Sequence, residues 1–154
     1  MNKQTKPRSI RVVAMDFLSR REHSTYELTQ KLKMRNFDMG AIEAALDRLQ
    51  QEKLLSDSRF IESIVNSRVN AGFGPIKILY ELRQKGISTE RAENYLSGLS
   101  VDWEPLMAVQ RSKKYGADLP VDYKEKMKQA RFLQNRGFSP ESVMRLFRQE
   151  SSLL

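Results

Sequence analysis

Few residue types in this chain could carry covalent or metal chemistry, and their spacing decides what each can do. There is one histidine, His23, and no cysteine. Without a thiol, cysteine nucleophiles, thiolate zinc sites and disulfides are excluded together. His23 stands beside Ser24-Thr25-Tyr26-Glu27 with no partner at metal-ligand spacing, so it reads as a turn residue rather than a ligand or a base. Glu43 and Asp47 lie one helical turn apart, but with Arg48 and Glu52 beside them they read as a solvated acidic face. Asp57, flanked by Ser56 and Ser58, reads as a helix start. Gly72-Phe73-Gly74-Pro75 lacks the Lys-Ser/Thr and the preceding strand of a phosphate loop. Nothing assembles a nucleophile, a base and an orienter, so no catalytic residue, metal site or cofactor is expected. What remains is cationic: 27 Lys and Arg against 19 Asp and Glu, a net charge of +8. That is the chemistry of anion binding.

The elements that position these cations are punctuated by one pattern used three times: Leu32 to Asn36-Phe37-Asp38, Leu82 to Gly86-Ile87-Ser88, and Leu133 to Gly137-Phe138-Ser139. Each has Asn or Gly at a left-handed position, an apolar residue after it, and a leucine four positions before it, which is the Schellman arrangement. Asp or Ser then opens a second apolar-periodic run, namely Ile42/Leu46/Leu49, Ala92/Leu96/Leu99 and Val143/Phe147. The turns are 50 and 51 residues apart (36 to 86, then 86 to 137), which reads as a tandem array of helical modules. Each is near the lower size limit for folding alone, so stacking neighbours are needed.

In the first module a basic arm, Lys3 to Arg8, precedes a helix from about Ser9 to Arg21. Ser24 to Glu27 forms a capping box ahead of Leu28 and Leu32, and the third helix ends near Lys53. The second module starts at Ser56-Asp57, stops at Gly72, and restarts at Gly74-Pro75 with proline at the first helical position. The third runs from Asp102-Trp103 to Tyr115-Gly116, crosses a loop over Ala117 to Val121, and restarts at a second capping box, Asp122 to Glu125. Ser139-Pro140-Glu141 caps its last helix, and Ser151 to Leu154 are expected to fray. The expected fold is all-α, three tandem three-helix modules (residues 9–55, 56–100 and 101–150) in an elongated, curved array. Trp103, Phe60, Phe132 and Phe147 are expected in the core, and Tyr80 and Tyr115 at the surface.

Charge alternates in phase with the turns. Residues 1–36 are net +6, 37–66 are −3, 67–86 are +3, 87–105 are −3, 106–136 are +5, and the rest is neutral. Equivalent helices of a repeat array fall on one side, so a basic track and an acidic back are expected. No apolar run approaches a membrane span and no signal-peptide core follows the polar start, so a cytoplasmic protein without a membrane partner is expected.

Several segments together resemble the RecX family of bacterial recombinase regulators. They are Ser19-Arg20-Arg21-Glu22-His23-Ser24 with Glu27-Leu28; Asp57-Ser58-Arg59-Phe60; Arg68 with Gly72-Phe73-Gly74-Pro75; Glu81 to Ile87; Asp102-Trp103; Lys113-Lys114-Tyr115-Gly116; and Arg131 to Ser139. They come in the family's order and span nearly the whole chain beyond residue 8. One departure is Asn36, where the family usually has glycine; Asn tolerates the same left-handed conformation. The resemblance implies a non-enzymatic protein that binds the RecA recombinase filament, lodges in its groove, and dampens ATP hydrolysis, strand exchange and co-protease activity. In some members DNA binding, to single or double strands, accompanies this. A monomer is expected.

A stack of modules could contact successive filament protomers at once and gain avidity. The residues expected to meet acidic or phosphate partners are Arg20, Arg21, Lys31, Arg68, Lys77, Arg83, Lys85, Lys113, Lys114, Lys124, Lys128, Arg131 and Arg136. The residues around Gly72-Pro75 and Arg136-Gly137 can also serve structure alone. The rival reading is a stand-alone helix-turn-helix DNA-binding protein. Against it, the helices after Asp38 and Ser88 are acidic where a recognition helix would meet phosphates. A nuclease would need clustered carboxylates for its metal, and those here are dispersed.

Overall fold

The computed structural model describes residues 8–151, and side chains as far as Arg148. Among the described residues there are nine helices and no strand: α1 Ile10–Arg20, α2 Thr25–Met34, α3 Met39–Gln51, α4 Asp57–Asn70, α5 Pro75–Gln84, α6 Thr89–Ser97, α7 Trp103–Tyr115, α8 Tyr123–Asn135 and α9 Pro140–Ser151. The expected basic arm, apart from Arg8, and the tail beyond Ser151 lie outside the described residues.

The turns form as their residues dictate. Asn36, Gly86 and Gly137 have φ of 66°, 81° and 103°. At the first and third turns the Schellman bonds are in place, Phe37 N donating to Leu32 O (3.3 Å) and Phe138 N to Leu133 O (3.2 Å). The same motif closes two further helices, at the ends the sequence placed at Gly72 and near Lys53. Gly72 (φ 85°) ends α4, with Phe73 N on Arg68 O (3.0 Å), and Lys53 (φ 61°) ends α3, with Leu54 N on Leu49 O (2.9 Å).

The helix starts divide into formed and unformed caps. Ser9, Ser24 and Ser88 each accept a hydrogen bond from the backbone two or three residues into their helix. Neither expected capping box closes. Ser24 accepts from Glu27 N, but the Glu27 carboxylate turns away to two cations described below. Asp122 makes no side-chain cap, and the Glu125 carboxylate instead accepts from Gln129 Nε2 (3.3 Å). Gln129 in turn serves Arg111, which is only 3% exposed and donates to Gln129 Oε1, Gly116 O and Ala117 O. A buried guanidinium thus pins the long α7–α8 loop, at the expense of the box.

The described chain divides into two compact units: residues to Ser63 together with Lys85–Ile87, and Ile64–Gln84 together with the chain from Ser88 on. The boundary falls inside α4. In the first unit α1, α2 and α3 pack on one another around Val13, Ala14, Leu28, Leu32, Ile42, Leu46, Leu49 and Leu55, with Phe17 and Phe37 against its edge. In the second, α5 packs on α6, and α7, α8 and α9 enclose Met107, Ala130, Leu133, Phe138, Val143, Leu146 and Phe147. Phe60 and Phe147 are buried as expected, whereas Trp103 and Phe132 are half-buried at core edges.

Asp57 does more than begin α4. Its Oδ1 accepts from Thr25 N at 2.7 Å, so it satisfies an orphan donor at the start of α2 while Ser56 Oγ accepts from Arg59 N. Asp57→Ala is therefore expected to cost about 1–2 kcal/mol, the scale of a lost N-terminal cap. Urea denaturation checks this, and a change below about 0.3 kcal/mol would show the bond to be incidental.

Candidate functional site

Two corners of the molecule are built alike. In the first unit the α1–α2 loop, Arg21 to Ser24, receives the turn Lys85-Gly86. Ser24 Oγ donates to Lys85 O at 2.7 Å, and a Cβ on Gly86 would meet Tyr26 Cβ at 2.3 Å, so only glycine fits. In the second unit the α4–α5 loop, Gly72 to Pro75, receives the turn Arg136-Gly137. Here Gly74 N donates to Arg136 O (2.8 Å) and Ile76 N to Gly137 O (3.0 Å). A Cβ on Gly74 would meet Gly137 O at 2.4 Å, so backbone lies on backbone. In both, the residue before the received glycine is a cation that reaches back into the receiving corner.

Those cations are consumed by the fold. Glu27, whose side chain is 6% exposed, accepts from both Arg21 nitrogens (3.0 and 2.7 Å) and from Lys85 Nζ (3.0 Å). Burial works to raise its carboxyl, but the hydrogen bonds and charges of Arg21 and Lys85 prevail and hold it at about 2. Arg136 lies over the Phe73 ring (4.4 Å to the centroid), and its Nη2 donates to Ala71 O (2.8 Å) and Gln110 Oε1 (2.9 Å). Arg68 pairs bidentately with Glu81 at 2.7 and 2.5 Å, which raises its guanidinium above the ordinary value.

The remaining expected cations divide into two groups. Arg20 pairs with Asp16 one turn back on α1 (3.2 Å) and is well exposed. Lys31 has a neutral partner: its Nζ meets His23 Nε2 at 3.0 Å, and it lies 5.0 Å from the Phe17 centroid. Lys77 covers Phe73 (4.5 Å), in an open groove of about 410 Å³ with Arg68, Tyr80, Glu81 and Gln84. Lys114 covers Phe132 (4.1 Å), next to Tyr115, which meets that ring edge-on and is half-buried rather than free to stack. Tyr80, by contrast, is 62% exposed. Arg83 and Lys113 are exposed at the ends of α5 and α7, and Lys124, Lys128 and Arg131 line an open hollow of about 550 Å³ along α8. Arg83, Lys113, Lys124, Lys128 and Arg131 have no carboxylate partner among the described residues.

His23 is a turn residue, as its position suggested, yet it is 1% exposed and fully hydrogen-bonded. Arg21 O can only accept, so Nδ1 donates to it (3.1 Å) and Nε2 accepts from Lys31. Burial first, then the charges of Arg21 and Lys31, keep the imidazole below its ordinary value, opposed by the bond to Arg21 O and by Glu27. Among the described residues no group of His, Asp or Glu could hold a metal ion, and no helix is long and apolar enough to cross a membrane.

The nine helices of the described residues, in repeated sets of three with docked turns and solvent-facing cations, define a tandem helical-repeat protein. Three family models match in succession: RecX first three-helix domain over residues 11–49, second over 56–96 and third over 108–147. The chain is 44% identical over 140 residues to the regulatory protein RecX of Pseudomonas syringae pv. tomato, covering 91% of this chain and 90% of that one. To the regulatory protein RecX of Halorhodospira halophila it is 41% identical, covering 88% and 84%. In structure it is similar to RecX from Lactobacillus salivarius, with a TM-score of 0.77 at 24% identity, covering 94% of this chain and 96% of that one; this likeness speaks for the fold. The chain belongs to the RecX family, and it is a regulatory protein rather than an enzyme.

Proposed function

We propose that this protein binds the RecA recombinase filament on DNA and lowers its ATPase, strand-exchange and co-protease activities, acting in the regulation of recombination and DNA repair. The observation that carries this reading is the match to RecX over all three repeats and about nine-tenths of the chain. The geometry supports it and narrows the contact residues. Arg21, Arg68, Lys85 and Arg136 are already engaged by acceptors within the fold, which leaves Arg83, Lys113, Lys124, Lys128 and Arg131 as the cations most available to an acidic or phosphate surface. Lys77 and Lys114, backed by aromatic rings, extend that set.

The test is the cognate recombinase on single-stranded DNA, assayed for ATPase and strand exchange with this protein well below one copy per protomer, at two salt concentrations. Inhibition at that ratio is expected. No inhibition, alongside tight binding to naked DNA, would overturn the reading in favour of a stand-alone DNA-binding protein. Reversing Lys113 and Lys114 to Glu together is expected to weaken inhibition about fivefold and flatten its salt dependence, the scale of exposed charge contacts. Unchanged inhibition by the folded variant would remove both lysines from the interface.

A further inference from the structure

The α1–α2 corner holds more positive charge than its own carboxylates balance. Arg20, Arg21, Lys31 and Arg35 gather there with Lys85 and Arg59, against Asp16, Glu22 and Glu27; Asp16 is taken by Arg20, Glu22 by Arg59, and Glu27 by Arg21 and Lys85. Lys31 has no carboxylate partner. Its ammonium spends a hydrogen bond on a neutral imidazole and, with Arg35, lies over the Phe17 ring, at 5.0 and 5.4 Å. We propose that this corner receives a side-chain carboxylate from an acidic segment of a protein partner, with Lys31 as its counter-charge and Phe17 as its floor.

Three observations favour that occupant. Arg21 and Lys85 meet on Glu27, and Lys31, turned to His23, lies near enough to feel both, so the charge is clustered about one loop, which suits a single carboxylate better than the spaced phosphates of a nucleic-acid strand. The floor is an aromatic ring, which accepts the apolar stem of a glutamate or aspartate. Lys31 is also held below its ordinary value, by partial burial first and then by Arg21, with Lys85 and Arg20 adding and Glu27 offsetting only in part. A carboxylate here would relieve that repulsion.

Occupancy is linked to His23. The groups facing the imidazole are Arg21 in the loop, Lys31 and Glu27 on α2, and the uncharged Phe17 on α1. A carboxylate that draws the Lys31 ammonium away from Nε2 frees that nitrogen to take a proton and adds negative charge beside it. Binding must then favour the imidazolium, and by reciprocity lower pH must tighten binding. The proposal rests on the filament reading only for who the protein partner is; the corner's chemistry stands apart from it.

Because His23 is the chain's only histidine, its ring resonances report the site without ambiguity. The intact protein is titrated from pH 4.5 to 8 (roughly spanning the imidazole range) with and without a short oligoglutamate peptide, inorganic phosphate, or a single-stranded oligonucleotide. The expected result is that the peptide raises the His23 midpoint by about one pH unit, the size of a shift from a nearby opposite charge. Phosphate and oligonucleotide are expected to do much less. Lys31→Gln should lose the peptide response, and Lys31→Arg should keep it. An unmoved midpoint at saturating peptide, or a full response in Lys31→Gln, overturns the proposal. An equal response to phosphate reduces the corner to a non-specific anion site, and a larger response to oligonucleotide assigns it to nucleic acid; either overturns the protein partner. In the recombinase assay Lys31→Gln should inhibit less than the parent. Full inhibition by Lys31→Gln removes the corner from the filament interface while the filament reading stands. Absent inhibition by the parent removes that reading while the peptide result stands.

Discussion

Gly137→Ala is expected to lower the melting temperature by about 10 °C, corresponding to a loss of about 3 kcal/mol for a chain of this size. Two terms add. The residue sits at φ 103°, where a Cβ costs about 1–2 kcal/mol. The new methyl would also lie 2.5 Å from Lys77 Cβ and 2.7 Å from Lys77 N, so the turn must back out of the corner formed by Gly72 to Pro75. Backing out stretches the bonds from Gly74 N to Arg136 O and from Ile76 N to Gly137 O. Gly116→Ala is the control: it adds a Cβ at φ 85° where nothing lies within 4 Å, and a loss of about 1–2 kcal/mol from the backbone alone is expected. Equal melting shifts for the two variants would show that left-handed strain alone, and not docking, accounts for Gly137.

Glu27→Ala is expected to cost about 2 kcal/mol. Removing one member of a buried pair typically costs about 3–5 kcal/mol, and the partial exposure of Arg21 and Lys85 discounts that. The pH dependence has a definite sign. The folded carboxyl is depressed to about 2 from an ordinary value of 4.5, so its contribution is complete above pH 4.5 and fades as pH falls toward 2. Chemical denaturation at pH 7 and at pH 3 should thus show the parent losing more stability than Glu27→Ala across that interval. Parallel losses in the two proteins would mean that the carboxylate contributes no net pairing energy.

The helices, their order and their turns were legible because the determinants are local. Pro75 at a first helical position, Ser24, Ser88 and Asp102 as caps, and Asn36, Gly86 and Gly137 in left-handed turns each announce themselves within a few residues. What could not be read was where the long charged side chains go. Glu27 fits a capping box by spacing, yet two cations, one of them 58 residues away, compete successfully for its carboxylate. Arg21, Arg68 and Arg136 look like surface cations by type, and Arg111 gave no sign of burial, because a guanidinium is buried or exposed according to acceptors that tertiary folding supplies. One signal was present: a cation immediately before glycine, repeated at Lys85-Gly86 and Arg136-Gly137, marks the turns that dock. At the remaining turn Asn36 stands exposed.

The corners also give the chain a polarity in time. Each receiving loop is synthesised before its guest, since Ser24 leaves the ribosome 61 residues ahead of Lys85, and Gly74 well ahead of Arg136. Until Lys85 arrives, the Glu27 carboxylate has only Arg21 to balance it, so a nascent first repeat waits with its counter-ion half supplied. Each docked turn is therefore supplied by chain made later than the loop that receives it.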